Sequence, residues 1–389
     1  MNITFADKKL ERLANDDSRQ SQRIITMASK NQYFPQSVPH PGETLSEKLE
    51  EMGMGPKEFA LRTGKPEKTI IAVLKGESSI TPDMAVQFEN VTQIPAHFWM
   101  NHQRGYDEYL AREKRKATID MAVPWARQFP LADMIRQGWI PPARSMEEKT
   151  MNLLAFFGFS NHTAWEDYYF RQELKVAFRI SLAQTKEPFA ISAWLRKGEL
   201  QAAELTANTY SEKKFREALP QVKSLMAQHP QGFFHQLQGI CQEAGVKVAH
   251  TPCIKKAPIS GSTRWLNDTP FIQLTGRYHR NDIFWFTFFH EAGHILLHGK
   301  KDIFLENLEY GDKDIKKEQE ADEFAIKWTL TEDEEAEILA SSTLGEEEIR
   351  EFARQFNTHP AIIIGRLQHK RIMSYNAGHQ FLVPVVFEE

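Results

Sequence analysis

The sequence predicts a mostly helical α+β chain. An N-terminal bundle of about five helices leads through a helical middle region into a C-terminal domain that adds a small sheet. Three observations support this. Apolar residues recur at helical spacing through most of residues 42–240. Short β-type runs then appear between Gly245 and Thr275. A long apolar helix follows at 282–298, ahead of an acidic stretch and two closing helices near 346–371.

The size and composition of the chain fit a folded protein with several domains. Its 389 residues predict two or three domains at roughly 150 residues each. With 41% apolar and 26% charged residues, wholesale disorder, collagen and coiled-coil arrays are excluded. Only two cysteines occur, Cys241 and Cys253, which excludes a disulfide scaffold and favours a reduced, cytoplasmic setting. No apolar run is long enough for a signal peptide or a membrane span, so we expect no membrane partner.

The hydrophobic pattern and the positions of glycine and proline divide the chain into four segments. They are an arm or linker at 1–40, a helical bundle at 41–116, a helical middle region at 117–244 and a mixed domain at 245–389. The formal net charge is −4, which excludes a strongly basic coat for indiscriminate nucleic-acid binding. Residues 302–351 carry 18 acidic and 5 basic side chains, a balance of −13. We therefore expect any DNA contact to come from the N-terminal bundle.

Residues 44–94 fit a helix-turn-helix motif. The pattern predicts helices at 45–52 and 56–63, a turn at Gly64-Lys65-Pro66, and a recognition helix at 67–75 that ends at Gly76. A short turn containing glycine between two helices is what this motif requires. Many small helical bundles have such turns, however. The net charge of residues 44–75 is only +1, which is weak for a DNA-binding segment.

The helical period divides the recognition helix into an inner and an outer face. Ile70, Val73 and Leu74 are expected to pack inward. The positions left for the groove and the phosphates of an operator are Lys65, Lys68, Thr69, Ala72 and Lys75.

A candidate metal site begins in the long apolar helix. His290-Glu291-Ala292-Gly293-His294 is an H-E-x-x-H sequence, and on a helix positions i and i+4 share one face. Both imidazoles can therefore bind one ion with Glu291 beside them. A buried helix has little reason to carry these polar groups unless they are satisfied together, although chance matches and satisfied core histidines remain the alternative reading.

A catalytic zinc site needs a third protein ligand and an open position for water. Glu318, Glu320 and Asp322 follow in a predicted helix, and Glu318 and Asp322 share a face. We expect Glu318 to be the third ligand and Asp322 to orient a ligating histidine through its other nitrogen. Glu320 is the alternative ligand, because only one of the two glutamates can face the metal. The other alternative is that these acids form a solvated face.

This donor set predicts hydrolysis. Zinc lowers the pKa of bound water to about 7. Glu291 is then the expected base, which takes the proton of the attacking water and passes it to the leaving amine. The sequence does not identify a second group that stabilises the oxyanion. His298 lies on the ligand face and is expected to support a ligand or lie at the surface. The candidates for the oxyanion role are Tyr278, His279, Arg280, Tyr310 and His359.

The C-terminal part of the chain, residues 245–372, resembles the ImmA/IrrE metallo-endopeptidases. The resemblance rests on the segment from Phe286 to His298, on Glu318-Gln319-Glu320-Ala321-Asp322 and its continuation to Ala325, and on a weaker match near 356–367. The Glu-x-x-Ala-Asp spacing is also similar to the third-ligand motif of thermolysin-like gluzincins. The resemblance implies a zincin-like fold, a competent zinc protease, and cleavage of a repressor or regulatory protein.

Residues 40–110 resemble the HigA-like branch of the XRE repressors. Such proteins are antitoxins and autorepressors that dimerise on palindromic operators, so the resemblance implies operator DNA, a homodimer and a toxin as partners. Residues 1–24 faintly resemble the opening of a HigB-type toxin. The matching residues are His40 to Glu43, Glu58 to Ala60, Lys75, Gly76, Ile80 to Ala85, Phe98, Trp99, Gln103, Tyr106 and Asp107.

Together these features predict a bacterial cytoplasmic regulator that binds DNA and carries a zinc-dependent metallo-endopeptidase domain. The alternative is a HigA-type antitoxin or autorepressor whose metal domain senses a signal or binds a toxin without proteolysis. A third reading is a protease whose helix-turn-helix docks protein alone. The middle region, 117–244, carries no motif to which we assign chemistry.

Overall fold

A computed structural model describes residues 37–171, 187–300, 304–305, 312–341 and 344–387. The segment 1–24 that resembles a HigB-type toxin, most of the N-terminal arm and the oxyanion candidate Tyr310 lie outside these residues. The described chain is mostly helical with one small mixed sheet, which confirms that part of the predicted fold class. Its contacts divide it into two compact units, one up to Thr118 and one from Ile119 onward.

Five helices form between residues 41 and 126. They are α1 (Pro41–Glu51), α2 (Pro56–Thr63), α3 (Glu67–Leu74), α4 (Pro82–Thr92) and α5 (Ala96–Ala126). The predicted domain boundary at residue 116 falls inside α5, close to the division between the two units. Leu45, Phe59, Ile70, Phe88 and Trp99 form the fully buried centre of the N-terminal unit.

The start of α1 is fixed by a reciprocal cap. His40 Nδ1 accepts the amide N–H of Gly42, and the carboxylate of Glu43 accepts the N–H of His40. Gly42 also allows α1 to approach α3 closely, since a Cβ at this position would lie 1.9 Å from the carbonyl oxygen of Val73. This close approach places α3 against the rest of the bundle.

Helices with a separate aromatic core lie between the bundle and the sheet in sequence. Trp125, Phe157, Trp165 and Trp194 lie at the centre of this core. The helices of this core are α6 (Leu131–Arg136), α7 (Met146–Phe157), α8 (His162–Glu166), a π-helical turn (Asp167–Arg171) and α9 (Pro188–Glu204). The next two helices, α10 (Glu212–Gln228) and α11 (Phe233–Glu243), pack instead into the core around the sheet.

The sheet has the strand order β1-β3-β2-β4. Its strands are β1 (Lys247–His250), β2 (Gly261–Leu266), β3 (Thr269–Leu274) and β4 (Phe304–Leu305). β1 pairs parallel with β3, and β2 pairs antiparallel with β3 and β4. Strand β3 is therefore internal, paired with β1 on one side and with β2 on the other, and does not present a free edge to an extended peptide.

The predicted long apolar helix is α12 (Asn281–Leu297), which packs on the sheet and on α13 (Asp312–Thr329). The chain continues through α14 (Glu332–Ala340), α15 (Glu346–Gln355) and α16 (Pro360–His369). Trp285, Phe288 and Phe289 of α12 are fully buried in the largest core. Among the described residues, the structure has no helix whose length and hydropathy would suit a membrane span.

Candidate metal centre and helix-turn-helix

His290 and His294 converge on one point beside α12. Their Nε2 atoms lie 3.0 Å apart, and the side chains are 3% and 1% exposed. The spacing of four residues produces this convergence, as predicted, because α12 is helical throughout the motif. Two ring nitrogens that face each other in a buried place require a shared proton or a shared cation.

Glu318 of α13 completes the group. Its carboxylate oxygens lie 3.2 Å from Nε2 of His290 and 3.5 Å from Nε2 of His294. These separations resemble the edges of a tetrahedral zinc shell, which are about 3.3 Å for bonds of about 2.0 Å. The two imidazoles and one carboxylate therefore fit a zinc ion with one position left for water. The group is His290, His294 and Glu318.

Small residues allow α13 to pack closely enough on α12 for Glu318 to reach the two histidines. Ala321 and Ala325 are fully buried on its inner face. Gly293 lies opposite, where an added Cβ would be 3.1 Å from the Cβ of Phe324. The glycine within H-E-x-x-H thus permits the close helix pair that brings Glu318 to the histidines.

Each histidine has a partner on its other ring nitrogen. Nδ1 of His290 lies 2.9 Å from the carboxylate of Asp322, as expected from the sequence. Nδ1 of His294 lies 2.9 Å from Nδ1 of His298, whose Nε2 lies 3.1 Å from Glu320. The geometry therefore directs Glu318 toward the two histidines and Glu320 toward His298. Such contacts fix the tautomer and the ring orientation of a metal-binding histidine.

Burial and hydrogen bonding shape the electrostatics of the group. Burial lowers the pKa of His294 to about 4, which favours the neutral imidazole that a metal requires. Burial alone would raise the pKa of Glu318, but hydrogen bonds with His290 and His294 outweigh it and lower this pKa to about 2. The group therefore presents the carboxylate of Glu318 and the neutral ring of His294 near neutral pH.

Glu291 is fully buried against β2. A Cβ added to Gly261 would lie 2.7 Å from Oε1 of Glu291 and 2.6 Å from Cγ2 of Thr287. The hydroxyl of Thr263 donates to the backbone carbonyl of Glu291 at 3.0 Å. Sequence reasoning missed these two β2 residues. The signal was Gly261 itself, since a glycine in a strand often marks a close approach of backbone and neighbour.

The structure does not bring the described oxyanion candidates to the metal group. Tyr278, His279 and Arg280 precede α12, whose first residue, Asn281, lies roughly 14 Å along the helix axis from His290. Arg280 donates two hydrogen bonds to Asp282. His359 caps α16 by accepting the N–H of Ala361 and also contacts Asn281. These residues have structural contacts of their own.

The predicted helix-turn-helix corresponds to α2 and α3. Gly64 ends α2 in the left-handed conformation, at φ 67°, and Pro66 precedes α3. Ile70 and Val73 are fully buried, and Leu74 packs against the same core. Among the predicted contact residues, Lys68 and Lys75 are exposed, and Thr69 and Ala72 are half-buried. Lys65 forms an ion pair with Asp83.

Several residues behind the HigA-like resemblance hold the bundle together. Gln103 accepts the N–H of Ile80 at 2.9 Å and donates to Asp107 at 2.9 Å. The ring of His40 lies edge-on to Tyr106, with centroids 4.8 Å apart. This part of the resemblance therefore reflects how the bundle packs.

Comparison with known families identifies the C-terminal part of the chain. Residues 241–368 match the family model of the IrrE N-terminal-like domain, Peptidase_M78. This stretch contains H-E-x-x-H and Glu318, and the match confirms the resemblance seen in the sequence. This part of the molecule is therefore similar to a metallopeptidase-family domain.

The N-terminal region is similar to helix-turn-helix regulators and HigA antitoxins. An uncharacterized HTH-type transcriptional regulator of Escherichia coli, YddM, is 29% identical over 84 residues, which are 22% of this chain and 85% of the relative. A HigA-family addiction module antidote protein from Coxiella burnetii is 32% identical, covering 21% of this chain and 91% of that one, with a TM-score of 0.20. The Pseudomonas aeruginosa antitoxin HigA, solved with the higBA promoter, is 28% identical, covering 22% and 94%, with a TM-score of 0.21.

Proposed function

We propose that this chain, which joins a region similar to HTH-type regulators to an IrrE-like domain, is a DNA-binding regulator and a zinc-dependent endopeptidase. Its substrate is a repressor or another regulatory protein. The observation that carries the proposal is the convergence of His290, His294 and Glu318 beside the buried Glu291. A merely structural helix would not be expected to bury two histidines and a glutamate in one H-E-x-x-H motif.

In the proposed peptide hydrolysis, the residues around the metal group have separate roles. His290, His294 and Glu318 would hold the zinc, which would lower the pKa of a water molecule to about 7 and polarise a carbonyl. Glu291 accepts a proton from water on its carboxylate and returns it to the leaving amine. Gly261 and Thr263 hold Glu291 in place. Asp322 and His298 keep the two imidazoles oriented.

DNA binding is proposed for the N-terminal bundle. Lys68 and Lys75 lie exposed on α3 and at its end, where they can contact phosphates, while Thr69 and Ala72 lie on the same helix and can approach base edges. Lys65 would have to leave Asp83 to contact DNA. The similarity to an HTH-type transcriptional regulator supports this part. A homodimer on a palindromic operator is proposed on the HigA-like resemblance of residues 40–110.

Cleavage separates this proposal from its main alternative. The full-length zinc-loaded protein and its Glu291→Gln variant are incubated with candidate repressors encoded near the gene, with and without upstream DNA. The wild type is expected to cut one of them, and the variant should be slower by about 10²–10⁴-fold. Equal behaviour of the two would reject proteolysis and favour an antitoxin or autorepressor whose metal domain senses a signal or binds a toxin.

A further inference from the structure

A buried arginine lies on the face of β2 that points away from the metal group. Side chains alternate along a strand, so Thr263 contacts α12 while Arg264 contacts α9 on the other face. Arg264 is 2% exposed. Gly198 of α9 packs closely on this face, since an added Cβ would lie 2.1 Å from the side-chain amide of Gln273.

Only part of the hydrogen-bonding capacity of Arg264 is used. Nη2 donates to the carbonyl of Leu195 at 2.6 Å and to Oε1 of Gln273 at 3.1 Å. Among the described residues, neither Nε nor Nη1 of Arg264 has an acceptor at hydrogen-bond distance. The hydroxyl of Ser262, two residues earlier on the same face and fully buried, also has no hydrogen-bond partner there. Buried donors of this kind are normally satisfied.

The charges around Arg264 favour an anion. Glu199 lies 3.8 Å from Nη1 of Arg264, and its other oxygen accepts a hydrogen bond from Arg196 at 3.1 Å. Two guanidinium groups thus face one carboxylate. Tyr169 adds no charge near neutral pH, because burial raises its pKa well above the usual value. A buried positive charge without a full complement of partners is costly, and an oxyanion at this place would supply them.

We propose that Arg264 and Ser262 bind a small oxyanion, a carboxylate or a phosphate, on the face of the sheet opposite the metal group. Nε and Nη1 of Arg264 and the hydroxyl of Ser262 donate to its oxygens. The close packing of α9 at Gly198 restricts the ligand to a small group. Arg196 and Glu199, whose side chains are 26% and 19% exposed, connect the site to solvent.

The same strand connects this site to Glu291. Gly261 and Thr263 of β2 contact Glu291 on one face, and Ser262 and Arg264 alternate with them on the other. A bound oxyanion would therefore act on the strand that positions the base. On this reading, which rests on the proposed function, the site is a signal input for the peptidase.

Calorimetric titration of the full chain tests binding without using its activity. Sodium phosphate and sodium acetate are titrated separately at one ionic strength set by sodium chloride. We expect saturable binding of at least one, weakened roughly tenfold or more in Ser262→Ala and lost in Arg264→Met. Arg354→Met removes an exposed arginine elsewhere and should bind as the wild type does.

Anomalous diffraction from crystals soaked in sodium selenate locates the anion. A selenate peak at hydrogen-bond distance from Nε or Nη1 of Arg264 is expected. Selenate found only elsewhere would be an adventitious ion only and would overturn the proposal, as would the absence of saturable binding or unchanged affinity in Ser262→Ala. The serine variant decides the outcome if Arg264→Met does not fold, as judged by circular dichroism.

The proposed effect of the oxyanion on the peptidase is tested by a separate measurement, the rate of cleavage. If the peptidase is active, the oxyanion that binds should change its cleavage rate in the wild type and leave the rate of Ser262→Ala nearly unchanged at the same concentration. Binding at Arg264 without any change in rate would reject the input role while the site itself stands. Failure of the proposed peptidase activity would leave the calorimetric result interpretable.

Discussion

The carboxylate of Asp322 lies 2.9 Å from Nδ1 of His290, while Nε2 of the same ring lies 3.2 Å from Glu318. The hydrogen bond to Asp322 places the ring proton on Nδ1 and leaves the lone pair on Nε2, where a zinc ion would bind. Asp322 is itself half-exposed, so this contact is accessible to substitution without opening the core.

Replacement of Asp322 should weaken metal binding. In Asp322→Asn the carboxylate that orients His290 is lost, and zinc affinity is expected to fall about 10–100-fold. Competition with a chromogenic chelator measures this affinity. Glu323→Gln removes the neighbouring exposed acid and serves as the control. Equal zinc affinity in the wild type and Asp322→Asn would show that His290 is oriented by its packing alone.

Addition of one methyl group at Gly261 should displace the proposed base. The new Cβ in Gly261→Ala would lie 2.6–2.7 Å from Thr287 and Glu291. We expect a loss of stability of about 1–3 kcal/mol and a fall in cleavage, with zinc content retained. Urea unfolding, activity and zinc assays measure these effects. Gly239→Ala, where the added Cβ meets no atom within 4 Å, should not impair either property. Full activity in Gly261→Ala would reject the positioning role.

The exposed lysines at α3 should determine the salt dependence of DNA binding. The slope of log K against log salt is expected to become shallower by about 2 in the double variant Lys68→Ala/Lys75→Ala, since each phosphate contact contributes about 0.9. Gel shifts with upstream DNA at several salt concentrations give the slope. Lys213→Ala/Lys214→Ala removes two exposed lysines of α10 as a matched control. An unchanged slope would remove α3 from the interface.

Two half-buried histidines away from the metal group should make stability depend on pH. Burial lowers the pKa of both His229 and His359 to about 4, and His229 accepts the indole N–H of Trp285 in its neutral form. The unfolded chain takes up these protons near pH 6.5, whereas the folded chain resists them until about pH 4. Stability therefore falls as the pH is lowered from about 6.5 to about 4.

Urea unfolding of the metal-free protein in EDTA tests this dependence. The loss of stability between pH 7 and pH 5 should be smaller in His229→Gln, which keeps an acceptor for Trp285. His235→Gln changes an exposed histidine of α11 and should leave the dependence as it is in the wild type. The same loss in all three proteins would contradict the assignment to His229.

The sequence alone was sufficient to predict the arrangement of site residues that lie on one helix. The four-residue spacing of His290 and His294 predicts their convergence, since a helix repeats every 3.6 residues. It favoured Glu318 but kept Glu320 as the alternative, because the two lie on opposite sides of α13. That choice depends on which face of α13 docks on α12, and the packing of Phe324 on Gly293 and the burial of Ala321 settle the docked face.

Strand β2 was not predicted, for a physical reason. Ser262, Thr263 and Arg264 are polar, yet they are buried on both faces of the sheet. Polar residues are seldom buried in strands unless tertiary partners satisfy them, and those partners lie far away in sequence, as with Thr263 and Glu291 or Arg264 and Leu195. A local pattern does not contain that information.

Metal analysis of the purified chain tests the central claim most directly. Elemental analysis by mass spectrometry should find about one zinc ion per chain in the wild type. The Glu320→Gln variant should keep this ion, because Glu320 faces His298 and not the metal group. His294→Ala and Glu318→Ala should lose the ion while keeping the helical circular dichroism signal of the fold. A wild type purified without metal that also fails to bind added zinc, or variants at His294 and Glu318 that keep the ion, would contradict this account.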